Sequence, residues 1–213
     1  DSLALLTIVG SPVADTVTVL DTGTPGTTTL SIQGGGGADR LDGAASWGRL
    51  VLSGGGDNDT IVEGPNTDVL DGGAGVDRLV TTIRTGVDLA LTDDELENGS
   101  TDAIADFEEA FISGDDASNF IVAVGFSGST TVLAGAGDDT VLGSTGADFI
   151  EGGAGLDHLQ GFGGNDTALG QGDDDTVFGG DGLDSLVGGA GNDLVDGQAA
   201  NDIVLGGLGA DFL

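Results

Sequence analysis

The chain contains no cysteine, lysine, methionine or tyrosine, and its only strongly basic residues are four arginines. The absence of cysteine excludes disulfides and thiolate metal sites. The absence of lysine excludes a Walker phosphate-binding loop, which needs that side chain. The single histidine, His158, falls at an outward position of the repeat described below, so it is not expected to act as a catalytic base. We therefore expect no enzyme activity and no catalytic residue.

Acidic residues and glycine dominate what is present, with 37 Asp and Glu and 43 Gly among 213 residues, for a net charge of -33. This charge repels nucleic acid and anionic lipid surfaces, and no stretch is long enough to span a membrane. We expect no nucleic-acid binding and no membrane insertion, and cations are the expected partners. High charge and glycine content favour disorder unless the carboxylates are neutralised.

A nine-residue repeat runs without a gap from Ala134 to Leu213. Its copies read AGAGDDTVL, GSTGADFIE, GGAGLDHLQ, GFGGNDTAL, GQGDDDTVF, GGDGLDSLV, GGAGNDLVD, GQAANDIVL and GGLGADFL. Aspartate holds the sixth position in every copy. The chain stops within a repeat and starts without methionine, so we expect it to be a piece of a longer protein.

The same repeat occurs less regularly in an earlier block, residues 34–80. Its copies read GGGGADRLD, GGGDNDTIV, EGPNTDVLD and GGAGVDRLV. Residues 51–80 also echo residues 132–160, which indicates duplication of a whole segment.

Each repeat has the composition of a tight turn followed by a short strand. Glycines at positions one, two and four permit positive φ, and the last three residues alternate outward and inward. The expected inward residues are Val141, Ile150, Leu159, Ala168, Val177, Leu186, Val195, Val204 and Leu213. Two repeats would make one coil, so each repeat would stack on the second repeat after it, about 4.8 Å away.

The repeats resemble the RTX family of hemolysin-type calcium-binding nonapeptides, with the consensus G-G-x-G-x-D-x-U-x, where U is a large apolar residue. The resemblance implies an all-β fold, a parallel β-roll or β-helix solenoid with calcium in its turns, and secretion by a type I system. It implies as calcium ligands the sixth-position residues Asp39, Asp59, Asp68, Asp77, Asp139, Asp148, Asp157, Asp166, Asp175, Asp184, Asp193, Asp202 and Asp211. Pairing each turn with the second turn after it predicts about seven ions in 134–213 and two in 34–80.

Four segments are expected. Residues 1–33 alternate like strands and are interpreted as degenerate coils, and residues 34–80 are the first repeat block. Residues 81–133 interrupt the repeat, with a loop and a short helical turn expected within 81–113 and calcium-free coils after it. Residues 134–213 are the regular second block. Asn119 and Thr130 replace the aspartate in the two calcium-free coils.

One apolar feature is not explained by the repeat. If alternate repeats form one sheet, Leu169, Val187 and Leu205 share an outer column, with Phe149 and Ile203 alongside. This column is either a set of scattered surface side chains or a lateral contact with another copy or a neighbouring domain.

Two functions remain open. The first is a calcium-rigidified structural segment of a large extracellular protein, of the surface-layer or adhesin type, that folds on binding calcium after export. The second is an accessory calcium-binding module of a secreted protease, lipase, epimerase or cytolysin. Both place the chain outside the cell, and the domains that flank it distinguish them.

Overall fold

The computed structural model describes residues 6–20, 29–46, 48–84, 87–99 and 101–213, and their regular structure is entirely strand. No helix long and apolar enough to cross a membrane occurs among these residues. The strands are β1 (Leu6–Val9), β2 (Thr16–Thr18), β3 (Thr29–Gly36), β4 (Arg40–Asp42), β5 (Arg49–Gly56), β6 (Thr60–Val62), β7 (Val69–Ala74), β8 (Arg78–Thr82), β9 (Leu89–Thr92), β10 (Glu95–Glu97), β11 (Thr101–Ala105), β12 (Glu109–Ser113), β13 (Phe120–Gly125), β14 (Ser129–Ala136), β15 (Thr140–Leu142), β16 (Phe149–Ala154), β17 (His158–Gly163), β18 (Thr167–Gly172), β19 (Thr176–Asp181), β20 (Ser185–Ala190), β21 (Leu194–Ala199) and β22 (Ile203–Leu208).

The chain divides into two compact units. The first compact unit comprises Asp1–Thr81 and Asp93–Ala110, and the second comprises Thr82–Thr92 and Phe111–Leu213. The first contains one sheet in the order β1-β3-β5-β7-β11-β10 and another in the order β2-β4-β6-β8. The second contains the orders β9-β13-β15-β17-β19-β21 and β14-β16-β18-β20-β22. From β1 to β8 and from β13 to β22, consecutive strands therefore alternate between two sheets, as a β-roll requires.

The stacking register of the second compact unit is the one that the nine-residue period predicts. Ile150 pairs with Ala168, Ala168 with Leu186, and Leu186 with Val204, always in parallel and always 18 residues apart. The predicted parallel β-roll is confirmed. The described parts of residues 1–33 follow the same scheme, since β1 pairs in parallel with β3 and β2 with β4.

A thin core runs between the two sheets. The inward residues from Val141 to Val195 are each at most 1% exposed, and each of them except Ala168 contributes roughly 1.5–3 kcal/mol by burial. Val204 is only half-buried and Leu213 is 64% exposed, so the inward placement of Leu213 was wrong. After β22 an isolated parallel bridge joins Leu194 to Phe212. With one large apolar residue in nine, the core alone is small.

The expected helical turn within 81–113 was also wrong. The described residues of this segment form β9 to β12 and contain no helix. Glu95 pairs with Ala103 in an antiparallel hairpin, and Gly99 near its tip has a φ of 77°. Burial alternates along β11, with Asp102 and Ile104 inside and their neighbours outside, so a period of two overrides the helical spacing of the apolar residues.

Candidate metal centre

The sixth-position aspartates line up in ladders along the edges of the roll. Asp157 Oδ1 accepts a hydrogen bond of 2.9 Å from the backbone N–H of Asp139, and Asp175 Oδ1 accepts one of 2.9 Å from Asp157. One ladder of the second compact unit contains Asn119, Asp139, Asp157, Asp175, Asp193 and Asp211. The other contains Thr130, Asp148, Asp166, Asp184 and Asp202. Each carboxylate thus joins its own turn to a neighbouring turn through one oxygen.

The second carboxylate oxygen is left without a protein partner in most of these turns. This Oδ2 atom is buried and accepts no hydrogen bond in Asp39, Asp59, Asp77, Asp139, Asp157, Asp166, Asp175, Asp184 and Asp193. A buried carboxylate oxygen without a partner costs free energy, because it has lost its water. A cation or a proton is therefore expected beside each of these atoms.

Where the first residue of a repeat is glycine, it makes room for the Oδ2 atom. A β-carbon built on Gly170 would collide with Asp175 Oδ2 and would lie 2.5 Å from the carbonyl oxygen of Gly188, in the next turn along the edge. The corresponding two oxygens face Gly179, namely Asp184 Oδ2 and the carbonyl oxygen of Gly197. A carboxylate and a main-chain carbonyl from adjacent turns therefore converge where the sequence has no side chain. Oxygens of these two kinds are what calcium prefers in proteins.

Positive φ angles at positions two and four form the turns. Gly153 and Gly155 have φ angles of 118° and 129°, and Asp173 keeps the left-handed conformation at position four with 72°. Ala200 adopts 90° at the same position, although a β-carbon disfavours it.

Ser144 makes one turn different. It replaces the second-position glycine, and its backbone N–H donates to Asp148 Oδ2 at 2.6 Å while its hydroxyl donates to Oδ1 at 2.8 Å. Thr130 supplies two further donors to Asp148 Oδ1. Both oxygens of Asp148 therefore accept hydrogen bonds from the protein.

In two other turns a side-chain oxygen accepts a hydrogen bond of the same kind from a backbone N–H. Asp15 Oδ2 accepts from the backbone N–H of Ser11 at 2.7 Å, and Asn119 Oδ1 accepts from the N–H of Asp115 at 3.0 Å. The aspartate or asparagine is again four residues after its donor.

The first compact unit has ladders of its own, and they include residues that sequence analysis missed. Asp68 N–H donates to Asp102 Oδ1 at 2.8 Å, and Asp77 N–H donates to Glu108 Oε2 at 2.8 Å. Asp102 precedes Ala103 and the buried Ile104, so the pattern of aspartate, any residue and an inward apolar residue was visible without the glycines. Glu108 has no such signal, because glutamate takes the place of aspartate.

Burial and like charge raise the pKa of several ladder carboxyls. The pKa of Asp166 and of Asp175 rises to about 7 and that of Asp139 to about 6, mainly through burial. Main-chain hydrogen bonds lower these pKa values in part, and the negative charges of neighbouring ladder aspartates raise them. With pKa values of about 7, the carboxyls of Asp166 and Asp175 are partly protonated near pH 7 when no metal is bound.

Among the described residues, no three acidic or histidine side chains gather closely enough to hold a metal by themselves. Each turn brings one buried sixth-position carboxylate, so a complete shell of six to eight oxygens has to include main-chain carbonyls from two adjacent turns. The glycine-rich turns expose such carbonyls, and the buried Oδ2 atoms fit this arrangement.

The family of RTX calcium-binding nonapeptide repeats matches the chain at residues 31–46, 51–79, 124–159, 142–177, 160–193 and 178–213. The chain belongs to this RTX family. Calcium is therefore its metal, and its RTX roll is a structural calcium-binding module. No curated protein matches the chain.

The raised pKa values predict that the metal-free RTX roll gains order on acidification. A carboxyl with a pKa near 7 when folded and 3.8 when unfolded binds more protons in the folded state between these values. Its contribution to stability is complete below about pH 4 and is lost as the pH rises through about 7. We expect a stronger far-ultraviolet strand signal at pH 5 than at pH 8 in calcium-free buffer. With saturating calcium the direction should reverse, because protons then compete with the metal. A metal-free chain with equal or greater strand signal at pH 8 would contradict this prediction.

Proposed function

We propose that this chain is a calcium-rigidified structural segment of a large extracellular or cell-surface protein, of the surface-layer or adhesin type, that folds on binding calcium after export. The observation that carries the proposal is the row of buried Asp Oδ2 atoms without protein partners. A metal at each turn would neutralise them and join adjacent coils, so that the roll becomes stiff.

The charge of the chain supports coupling between export and folding. At -33 the metal-free chain repels itself and has only a thin core to oppose that repulsion. RTX repeats are typical of secreted proteins, and extracellular calcium modules bind with dissociation constants of about 10⁻⁴–10⁻³ M. The chain would remain unfolded at cytosolic calcium and would fold outside.

The proposed ligands are the sixth-position aspartates, with one exception. Asp148 is part of the predicted set, but its two oxygens already accept hydrogen bonds from Ser144 and Thr130. We propose that its turn holds no ion. The register alone predicts about seven ions in 134–213 and two in 34–80. Without an ion in the turn of Asp148, the first number falls by one.

Limited proteolysis tests the coupling to calcium. At about 2 mM free calcium, within the range of extracellular modules, we expect the chain to resist a broad-specificity protease. At submicromolar calcium we expect rapid cleavage within the repeats. Equal resistance under both conditions would rule out a segment that folds only after export.

The apolar column on one outer face supports a lateral contact. Leu169 pairs with Val187 and Val187 with Leu205, and Leu205 is 57% exposed. Ile203, in the adjoining column, is 63% exposed. We propose that this face binds a second copy of the chain or a neighbouring domain of the same protein.

Light scattering in calcium tests this contact. Changing Leu169, Val187 and Leu205 together to glutamate should abolish calcium-dependent association. The matched control places three glutamates on the outer face of the other sheet, at Thr140, Gln160 and Thr176, which belong to β15, β17 and β19. Unaltered association in the apolar-column variant, or equal loss in both, would exclude the column as the interface.

A further inference from the structure

The turn between β11 and β12 lies outside the repeats and outside the residues that the RTX family matches. Within it, Asp106 has a φ of 55°, in the same region as the 72° of Asp57 and Asp173 at the fourth position of true repeats. Glu108 follows two residues later, where a true repeat has its calcium-binding aspartate. The backbone here imitates a repeat turn although the sequence lacks its glycines.

Glu108 also occupies the corresponding place in the ladder. Its Oε2 atom accepts the N–H of Asp77 at 2.8 Å, as the aspartates do in the other turns. The N–H groups of Glu108 and Glu109 in turn donate to the carbonyl of Asp77, at 3.2 and 3.0 Å. The turn at 105–108 is therefore docked on the turn at 72–77 as a further step of the roll.

The turn at 72–77 presents an unsatisfied oxygen to this step. Asp77 is fully buried, and its Oδ2 atom has no hydrogen-bond partner. A β-carbon on Gly72 would collide with the carbonyl oxygen of Asp106 and would lie 3.0 Å from Asp77 Oδ2. The carbonyl of Asp106 thus lies where the carbonyl of the first glycine lies in a true repeat. Asp106 therefore combines the positive φ of a fourth position with the carbonyl placement of a first position, so the turn at 105–108 is shorter than a repeat turn.

The charge around Asp77 is negative. After burial, the negative charges of Glu108, Asp71 and Asp106 all raise the pKa of Asp77. Besides Asp77 Oδ2, the Oδ1 atom of Asp71 is also buried and without a hydrogen-bond partner. Arg78 lies beside this group, but its guanidinium donates to Glu109 Oε2 at 2.9 and 2.6 Å on the exposed side of the strand.

We propose that the turn at 105–108 closes a further calcium site, formed by Asp77 Oδ2, the carbonyl of Asp106 and the carboxylate of Glu108. The inference rests on the proposed function, because it extends calcium binding by the repeat turns to a segment without the repeat. The side chains of Asp106 and Glu108 are exposed, so the ion can enter from solvent. Two carboxylates, a carbonyl and water suit a hard divalent cation such as calcium.

Native mass spectrometry of the calcium-loaded full chain tests this site, because it counts bound ions. The test variant combines Asp106→Gly with Glu108→Gln. Glycine keeps the positive φ and the carbonyl of residue 106, and glutamine keeps an acceptor for the N–H of Asp77. The matched control is Glu97→Gln, which removes an exposed carboxylate from β10 of the same compact unit.

We expect the double variant to bind one calcium ion fewer than the wild type, and the control to bind the wild-type number. An unchanged count in the double variant would overturn the inference and leave the repeat sites standing. A wild-type chain that binds no calcium would overturn the proposed function itself. If circular dichroism shows that the double variant does not fold, the single variant Glu108→Gln tests the site instead. We expect this variant to bind one calcium ion fewer, or to bind its last ion tenfold more weakly. Wild-type binding in that folded variant overturns the inference.

Discussion

Replacing Gly170 with alanine should destabilise the calcium-loaded roll by about 1–3 kcal/mol, the usual cost of overpacking. Gly170 does not have a positive φ, so its backbone accepts alanine. The cost comes from the new β-carbon, which would occupy the space where Asp175 Oδ2 and the carbonyl of Gly188 converge. The variant should also lose one calcium ion, because that space belongs to the proposed site.

Gly172→Ala is the matched control for this change. Gly172 is in the same strand, and a β-carbon there would meet only the carbonyl of Gly153, at 3.7 Å. This change should leave the calcium count unaltered and should be neutral or slightly stabilising, by about 0.4–1 kcal/mol. Thermal unfolding in saturating calcium measures both variants, with a shift of about 2–4 °C per kcal/mol for a chain of this length. Equal melting temperatures for Gly170→Ala and Gly172→Ala would show that the space at Gly170 is not needed.

Replacing Asp175 with asparagine should remove one calcium ion and the stability that the ion supplies. The ion would contribute about 2.7 kcal/mol when free calcium is about 100 times the dissociation constant. In calcium-free buffer the substitution should not destabilise the chain, because a neutral amide removes a buried negative charge from the ladder. There the variant should be at least as ordered as the wild type.

Two variants control this prediction. Asp148→Asn should keep the wild-type number of ions, since Ser144 and Thr130 already satisfy the oxygens of Asp148. Asp181→Asn changes an exposed aspartate of β19 and should alter neither the ion count nor the melting temperature. Ion counts come from native mass spectrometry and stability from thermal unfolding. If Asp175→Asn keeps its ion, or if Asp148→Asn loses one as well, the assignment of ligands is incorrect.

The sequence predicts the fold of residues 134–213 well because its two signals agree. The nine-residue period determines which coil stacks on which, and the inward residue of each repeat determines which face is buried. Ile150, Ala168 and Leu186 stack as predicted. The family resemblance adds the metal, while the residues that hold each ion stay a prediction.

The segment 81–113 could not be predicted in the same way. Its buried residues Leu96, Ile104 and Phe107 have a spacing that a helix also allows, and the acids between them suggested a helical turn. The hydrogen-bond ladder, rather than the apolar pattern, holds this part in place. Asp102 and Glu108 continue the ladders of the repeats without the glycines that identify a repeat.

The turn that contains Ser144 shows a second reason why the site could not be predicted fully from the sequence. Phe162, Gln171 and Gln198 also replace the second-position glycine, yet they adopt positive φ angles of 77°, 82° and 69°. Ser144 instead turns its N–H and hydroxyl to Asp148. The substitution is visible in the sequence, but which of the two outcomes follows depends on hydrogen bonds that only the folded turn reveals.

Calcium titration of the metal-free chain, followed by far-ultraviolet circular dichroism, tests whether calcium folds this roll. We expect little strand signal in chelator and a cooperative gain of strand signal at millimolar calcium. Magnesium should not substitute, because it demands a smaller octahedral shell and keeps its water. A strand signal that is already complete in chelator would show that the roll folds without calcium.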